Sequence, residues 1–251
     1  MVGFKPSFGA VAREGVHPLA GSLDHVGFFA RKVGDVAAAY ALFAERQSAP
    51  FASREAWESY FQTAHAPRLA VVRTGIWDRA DAEQQRNFEA SLALLRSAGA
   101  ECVDMDLPAA AELLIEATLE ILCYEAAEIY APLVEEHPSL SSDALKQLVI
   151  DGQAVPEAAY RAALDLQQCL RRELADWISP CDAVVTIPAT GEAPRGLDFT
   201  GDAAFCAPWT IMGVPAINIP SGWSANGLPL GLQITALFGR DKTALQIAAW
   251  A

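Results

Sequence analysis

Between residues 69 and 107 the chain alternates in a way that few architectures accommodate. Residues 69–73 form a compact apolar run of strand length. Residues 82–98 place Phe88, Leu92 and Leu95 on one helical face, and Gly99 stands where such a helix ends. Residues 102–107 return to a strand pattern. Strand, helix, strand at this spacing is a βαβ unit. A crossover of that length returns the second strand parallel to the first and in a right-handed sense, so a parallel strand pair is expected at the heart of the molecule.

Helical and strand-like segments continue on either side. The first thirty residues are rich in Gly and Pro and read as turns and short strands. A helix is expected over residues 34–45, with Asp35 capping its start. Residues 108–136 carry a helical pattern interrupted near Pro132, and residues 141–150 form a shorter helix. Pro156 opens a long helix whose buried stripe is Leu166, Leu170, Leu174 and Trp177. Residues 182–187, 216–220 and 230–237 are strand-like, with glycine-rich turns between them, and a last helix starts at Asp241 and runs into Trp250. No repeat, linker or low-complexity tract divides the chain. The 251 residues therefore read as a single α/β domain, a mixed β-sheet flanked by helices on both faces.

Composition narrows the partners. With 31 acidic and 18 basic side chains the formal charge is −13, which disfavours nucleic acid and anionic membranes. No apolar run reaches the ~18 residues of a membrane span, and the amino terminus has no signal-peptide core. Five cysteines, 102, 123, 169, 181 and 206, are odd in number and form no C-x-x-C pair. Reduced thiols of a cytoplasmic protein account for them.

Common catalytic signatures are absent: there is no G-x-G-x-x-G, P-loop, H-E-x-x-H or G-x-S-x-G. No metal site or cofactor is expected, because His17, His25, His65 and His137 lack ligand spacing. Ser22-Leu23-Asp24-His25 contains the residue types of a triad, but such side chains converge from separate elements. A turn held by Ser and Asp hydrogen bonds is the better reading. Glu112, Glu116 and Glu120 share a helix face and read as a solvated acidic surface, since no Glu-x-x-His accompanies them. Glu125 and Glu128 have apolar neighbours and could pair with arginine inside the protein. Phe205, Trp209 and Met212 fall at i, i+4 and i+7, on one face if the segment is helical. Spacing alone leaves both a pocket lining and plain core packing open, and favours packing.

Three stretches together resemble the amidase signature family. The first runs from Gly3-Phe4-Lys5-Pro6-Ser7-Phe8-Gly9 to Pro18-Leu19-Ala20-Gly21-Ser22-Leu23-Asp24-His25-Val26-Gly27 and is similar to the block that follows that family's glycine- and serine-rich signature. The second comprises Leu69-Ala70-Val71-Val72, Trp77 and Ala98-Gly99-Ala100. The third comprises Thr200-Gly201-Asp202, Phe205, Pro208-Trp209-Thr210, Gly213-Val214-Pro215-Ala216, Pro220 and Gly227-Leu228-Pro229-Leu230-Gly231-Leu232-Gln233. The resemblance implies hydrolysis of a carbon–nitrogen bond in a small-molecule amide. In the family one serine attacks, a second relays protons and a neutral lysine is the base, while backbone N–H groups hold the oxyanion.

All those groups precede the G-F-K-P element, which here begins at Gly3, so no catalytic residue can be assigned and Lys5 is not the family's lysine. The expectation is a family fold lacking its N-terminal part and shortened slightly at Ala251, inactive alone. Alternatively, it is a half-enzyme or non-catalytic binding subunit that needs a complementary N-terminal polypeptide or self-associates into a homo-oligomer. The family's acyl pocket draws on the segment matching Phe205, Trp209 and Met212, which makes these three the substrate-contact candidates.

Overall fold

A computed structural model describes residues 1–44, 53–60, 63 and 65–251. In chain order the elements are β1 (Val2–Lys5), β2 (Phe28–Ala30), α1 (Val33–Phe43), α2 (Arg54–Tyr60), β3 (Arg68–Val71), α3 (Ala82–Ser97), β4 (Glu101–Asp104), α4 (Leu114–Glu136), α5 (Asp143–Ala154), α6 (Glu157–Ile178), β5 (Ala183–Thr186), α7 (Ala207–Ile211), β6 (Ala216–Trp223), β7 (Pro229–Thr235) and α8 (Asp241–Trp250). The strands form one sheet in the order β2-β1-β6-β7-β5-β3-β4. The βαβ unit is present, with β3 parallel to β4 and also to β5. β7, β6, β1 and β2 continue the sheet by antiparallel pairing, so it is mixed.

Side-chain alternation builds a core on each side of this sheet. Leu69, Val71, Ala183 and Val185 face one way and pack with Val36, Phe88, Leu92 and Leu245 of α1, α3 and α8. Ala70, Val72 and Val184 face the other way and meet Leu114 and Ile121 of α4, Leu170 and Leu174 of α6, and Ile211 of α7. Strand residues apolar on both faces are what a central parallel strand requires. Helices thus cover both faces, as expected for this α/β class.

Several boundaries depart from the sequence reading. Asp35 does not cap α1. The cap position is Lys32, which makes no side-chain bond, and Asp35 lies in the first turn, where its charge faces the positive end of the helix. Glu45 falls outside the described residues. Pro132 does not interrupt α4, which runs through it. The carbonyl deprived of its donor there belongs to Glu128, an exposed residue that water can serve. The stripe of α6 is Ala163, Gln167, Leu170, Leu174 and Ile178, while Leu166 and Trp177 are only partly buried. Asp81 and Ser142 cap α3 and α5 by accepting from Gln84 and Leu145 N–H, and Gly99 ends α3 at a φ of 104°. Among the described residues no helix is long and apolar enough to cross a membrane.

Candidate functional site: a cleft beside β1, β6 and β7

Register brings Gly3 beside Asn218, and Asn218 beside Gln233. In the next rung Lys5 lies beside Ala216. These residues line a cleft of about 850 Å³. Thr118 and Leu122 of α4, the Leu19 to Gly27 turn, and Pro188 and Ala189 after β5 complete it. Its floor needs small residues. A Cβ on Gly231 would lie 2.3 Å from Asn218 Oδ1, and one on Gly27 would lie 2.9 Å from the Phe4 carbonyl oxygen.

Burial shifts three titratable groups of the cleft, Lys5, His25 and Cys206, toward their neutral forms. Lys5 Nζ donates to the Val214 carbonyl at 2.5 Å, with the Pro6 carbonyl at 3.5 Å. Burial lowers its pKa to about 7, against the opposing pull of Asp241 and Cys206. His25 Nδ1 lies 2.5 Å from the Leu23 carbonyl, and its buried Nε2 has no hydrogen-bond partner among the described residues. Burial first, then the nearby charge of Lys5, lowers the imidazole to about 3, so it is neutral near pH 7. Cys206 Sγ donates to the Pro188 carbonyl at 3.1 Å, and burial pushes this thiol up.

Ser22, Asp24 and His25 do not converge. Ser22 N–H and O–H both donate to Glu125, at 2.8 and 2.5 Å, and Tyr160 donates to the same carboxylate at 2.7 Å. Asp24 accepts the Leu19 and Ala20 N–H groups at 2.9 and 3.1 Å. The turn reading therefore holds through Asp24, while the Ser22 hydroxyl is committed to α4. Glu125 takes hydroxyl partners from Ser22 and Tyr160 rather than the arginine that sequence allowed. Glu128, Glu112 and Glu116 are exposed and Glu120 is partly so. Among the described residues no three His, Cys, Asp or Glu side chains are placed to hold a metal ion.

Phe205, Trp209 and Met212 are almost completely buried. They do not share one helix face, which corrects the spacing argument. Pro208 falls in the first turn of α7 and Gly213, at a φ of 68°, follows its end, leaving a five-residue helix that starts after Phe205. Phe205 packs in the core beside α3 and α8, and Trp209 and Met212 in the core beside α4 and α6. The residues of this segment that face the cleft are Cys206 and Thr210. Sequence reasoning missed these two, along with Lys5, Asn218 and Gln233. The alternation of Ala216, Asn218 and Pro220 along β6 was the available signal for Asn218.

A family profile described as amidase matches residues 1–245. The chain belongs to the amidase family. The glutamyl-tRNA(Gln) amidotransferase A-subunit of Chlamydia felis is 27% identical to this amidase-family chain over 280 residues, covering 98% of the chain and 57% of that protein. Its counterpart in Koribacter versatilis is 26% identical, covering 99% of the chain and 59% of the protein. A crystal structure of an amidase superposes with a TM-score of 0.86 at 27% identity, over 99% of this chain and 57% of that one. The Thermotoga maritima glutamyl-tRNA(Gln) amidotransferase A-subunit shares the fold at a TM-score of 0.76 and 22% identity, over 98% of this chain and 56% of that one. The amidase-family chain thus spans a little under three fifths of the length of these relatives.

Proposed function

We propose that this chain supplies the scaffold and part of the substrate cleft for hydrolysis of a carbon–nitrogen bond in a small-molecule amide. The observation that carries the reading is the cleft itself. It is bordered by the two sequence blocks that most resemble the family, Gly3 to Gly27 and Cys206 to Gln233. Cys206 and Thr210 form the wall a substrate meets. Phe205, Trp209 and Met212 serve substrate selection by setting where that wall stands. The neutral thiol and imidazole and the single amine suit a cleft that binds an uncharged group.

The reacting serines and lysine come, in this proposal, from polypeptide that precedes the Gly3-Phe4-Lys5-Pro6 element in the family. Ser22 is no substitute, because its proton is held by Glu125. In this proposal the Met1–Ala251 stretch taken alone does not hydrolyse amides, and it works in the cytoplasm together with polypeptide that supplies those groups. Relatives named as one subunit of an amidotransferase favour an assembled form. The purified chain is expected to hydrolyse no simple amide and to resist a serine-directed fluorophosphonate. Adding a separately expressed polypeptide with the family's glycine- and serine-rich loop is expected to restore both. Robust labelling of Ser22 in the chain alone would sink the reading.

A further inference from the structure

Lys5 is the one lysine that lines the cleft, and the reaction proposed above does not use it. β1 directs it away from Phe4, which packs in the opposite core, and its only hydrogen-bond partners among the described residues are the backbone carbonyls of Val214 and Pro6. Lys5 takes part in none of the ion pairs among those residues. Asp241 on α8 is the carboxylate whose charge acts on it, and both oxygens of that carboxylate are already taken by the Ser7 N–H and O–H. The other groups acting on it are the Cys206 thiol ahead of α7 and the Arg171 guanidinium of α6. His25 faces it as a neutral ring. An amine in a partly closed apolar cleft, hydrogen-bonded by carbonyls but not ion-paired, is built like the lysines that serve as nucleophiles.

We propose that Lys5 is a nucleophilic amine that captures small apolar aldehydes in this cleft as imines. The Nζ lone pair attacks the carbonyl carbon and forms the C–N bond. The carbonyl oxygen collects two protons and leaves as water, and one C=N bond remains, so amine plus aldehyde gives imine plus water with no redox partner. Leu19, Leu23, Leu122 and Phe29 provide the apolar surroundings for the aldehyde's side chain. This step is independent of amide hydrolysis and needs no residue outside the chain.

The magnitude favours selectivity. An ordinary lysine is uncharged in roughly 1 molecule in 2,500 at pH 7. With its pKa brought down to about 7, Lys5 is uncharged in about half. That is roughly a thousandfold more free amine, part of which is offset by lower intrinsic basicity and narrower access.

Lys32, Lys146 and Lys242 act as internal controls, the only other lysines of the chain. Lys32 is exposed, Lys146 lies 3.5 Å from Asp143, and Lys242 sits over the Tyr60 ring. The test is reductive alkylation of the whole chain by benzaldehyde and sodium cyanoborohydride, mapped by peptide mass spectrometry from pH 6 to 10. Reduction traps the imine as a benzylamine and leaves any reversible thiol adduct at Cys206 untrapped. At pH 7 Lys5 is expected to be benzylated at least ~10 times faster than Lys32, with a rate that levels off above pH 7. Lys5→Arg, keeping a cation on the same stem, is expected to remove the fast phase. The proposal is overturned if Lys5 reacts no faster than Lys32 at pH 7. It is also overturned if the Lys5 rate climbs in parallel with Lys32 up to pH 10, or if the fast phase survives in Lys5→Arg.

Discussion

Asp241 receives the Ser7 N–H at 2.7 Å and the Ser7 hydroxyl at 2.6 Å, and Ser7 Oγ in turn accepts the Gly239 N–H at 2.9 Å. Both side chains are buried, so neither can exchange these bonds for water. Hydrogen bonds to a buried charge are worth more than neutral ones, and removing one partner strands the other. Asp241→Asn is expected to lower stability by about 2–4 kcal/mol in urea unfolding. Adding Ser7→Ala to it should cost much less than Ser7→Ala does alone. His25 gives a second test, in pH. Its pKa is about 3 when folded and 6.5 for the free side chain, so between those values the unfolded chain binds the extra proton. Stability falls as pH drops below 6.5, by about 1.4 kcal/mol per unit in the steep part, and stops falling near pH 3. His25→Asn should flatten the urea midpoint between pH 7 and 5 relative to the parent. The Ser22–His25 turn could be read in the sequence because Asp24 bonds to residues four and five positions away. The serine partners of Glu125 and Asp241 could not, because Ser22 and Ser7 stand 103 and 234 positions away and leave no local pattern.

Helices were legible where a stripe and a cap coincide, as in α3 and α5, and less so where the surroundings decide. α4 passes Pro132 because the orphaned carbonyl is on the exposed side, a fact that periodicity does not carry. The packing of α4 on α5 rests on one small residue. A Cβ on Gly152 would lie 1.9 Å from the Cys123 carbonyl oxygen and 2.7 Å from Ala127 Cβ, so the helices approach too closely for any side chain there. Gly152→Ala is expected to cost more than ~2 kcal/mol through forced separation of the pair, read as a lower midpoint in thermal unfolding. Gly34→Ala in α1 supplies the contrast. Its new methyl would meet Trp57 at 3.7 Å, an ordinary contact, and the better helix former should raise stability by up to about 1 kcal/mol. The segment carrying Phe205, Trp209 and Met212 misled the spacing argument for a related reason. Its helix is a single short turn, and both cores claim its side chains.

At the scale of the molecule, the parallel β3–β4 pair followed from crossover length alone. The place of β1 did not, because nothing in Val2 to Lys5 says that this strand lies between β2 and a strand more than two hundred residues later. Its alternation of buried and half-exposed residues names a strand but no neighbours. The cleft depends on that long-range pairing, so its lining was correspondingly hard to foresee. The position of β1 also sets when the molecule can form. Once made, β1 waits with its inner edge unpaired until β6 has been made, and only then can the cleft floor assemble. Sheet completion therefore lags far behind the synthesis of β1 and is slow, as expected for contacts between distant parts of a chain. Nascent chains stalled before residue 216 should be cut readily by protease near Lys5, and chains stalled well beyond Thr235 should be protected there. During that interval the half-made β1–β2 edge leaves unpaired backbone groups on which a strand of another chain could pair.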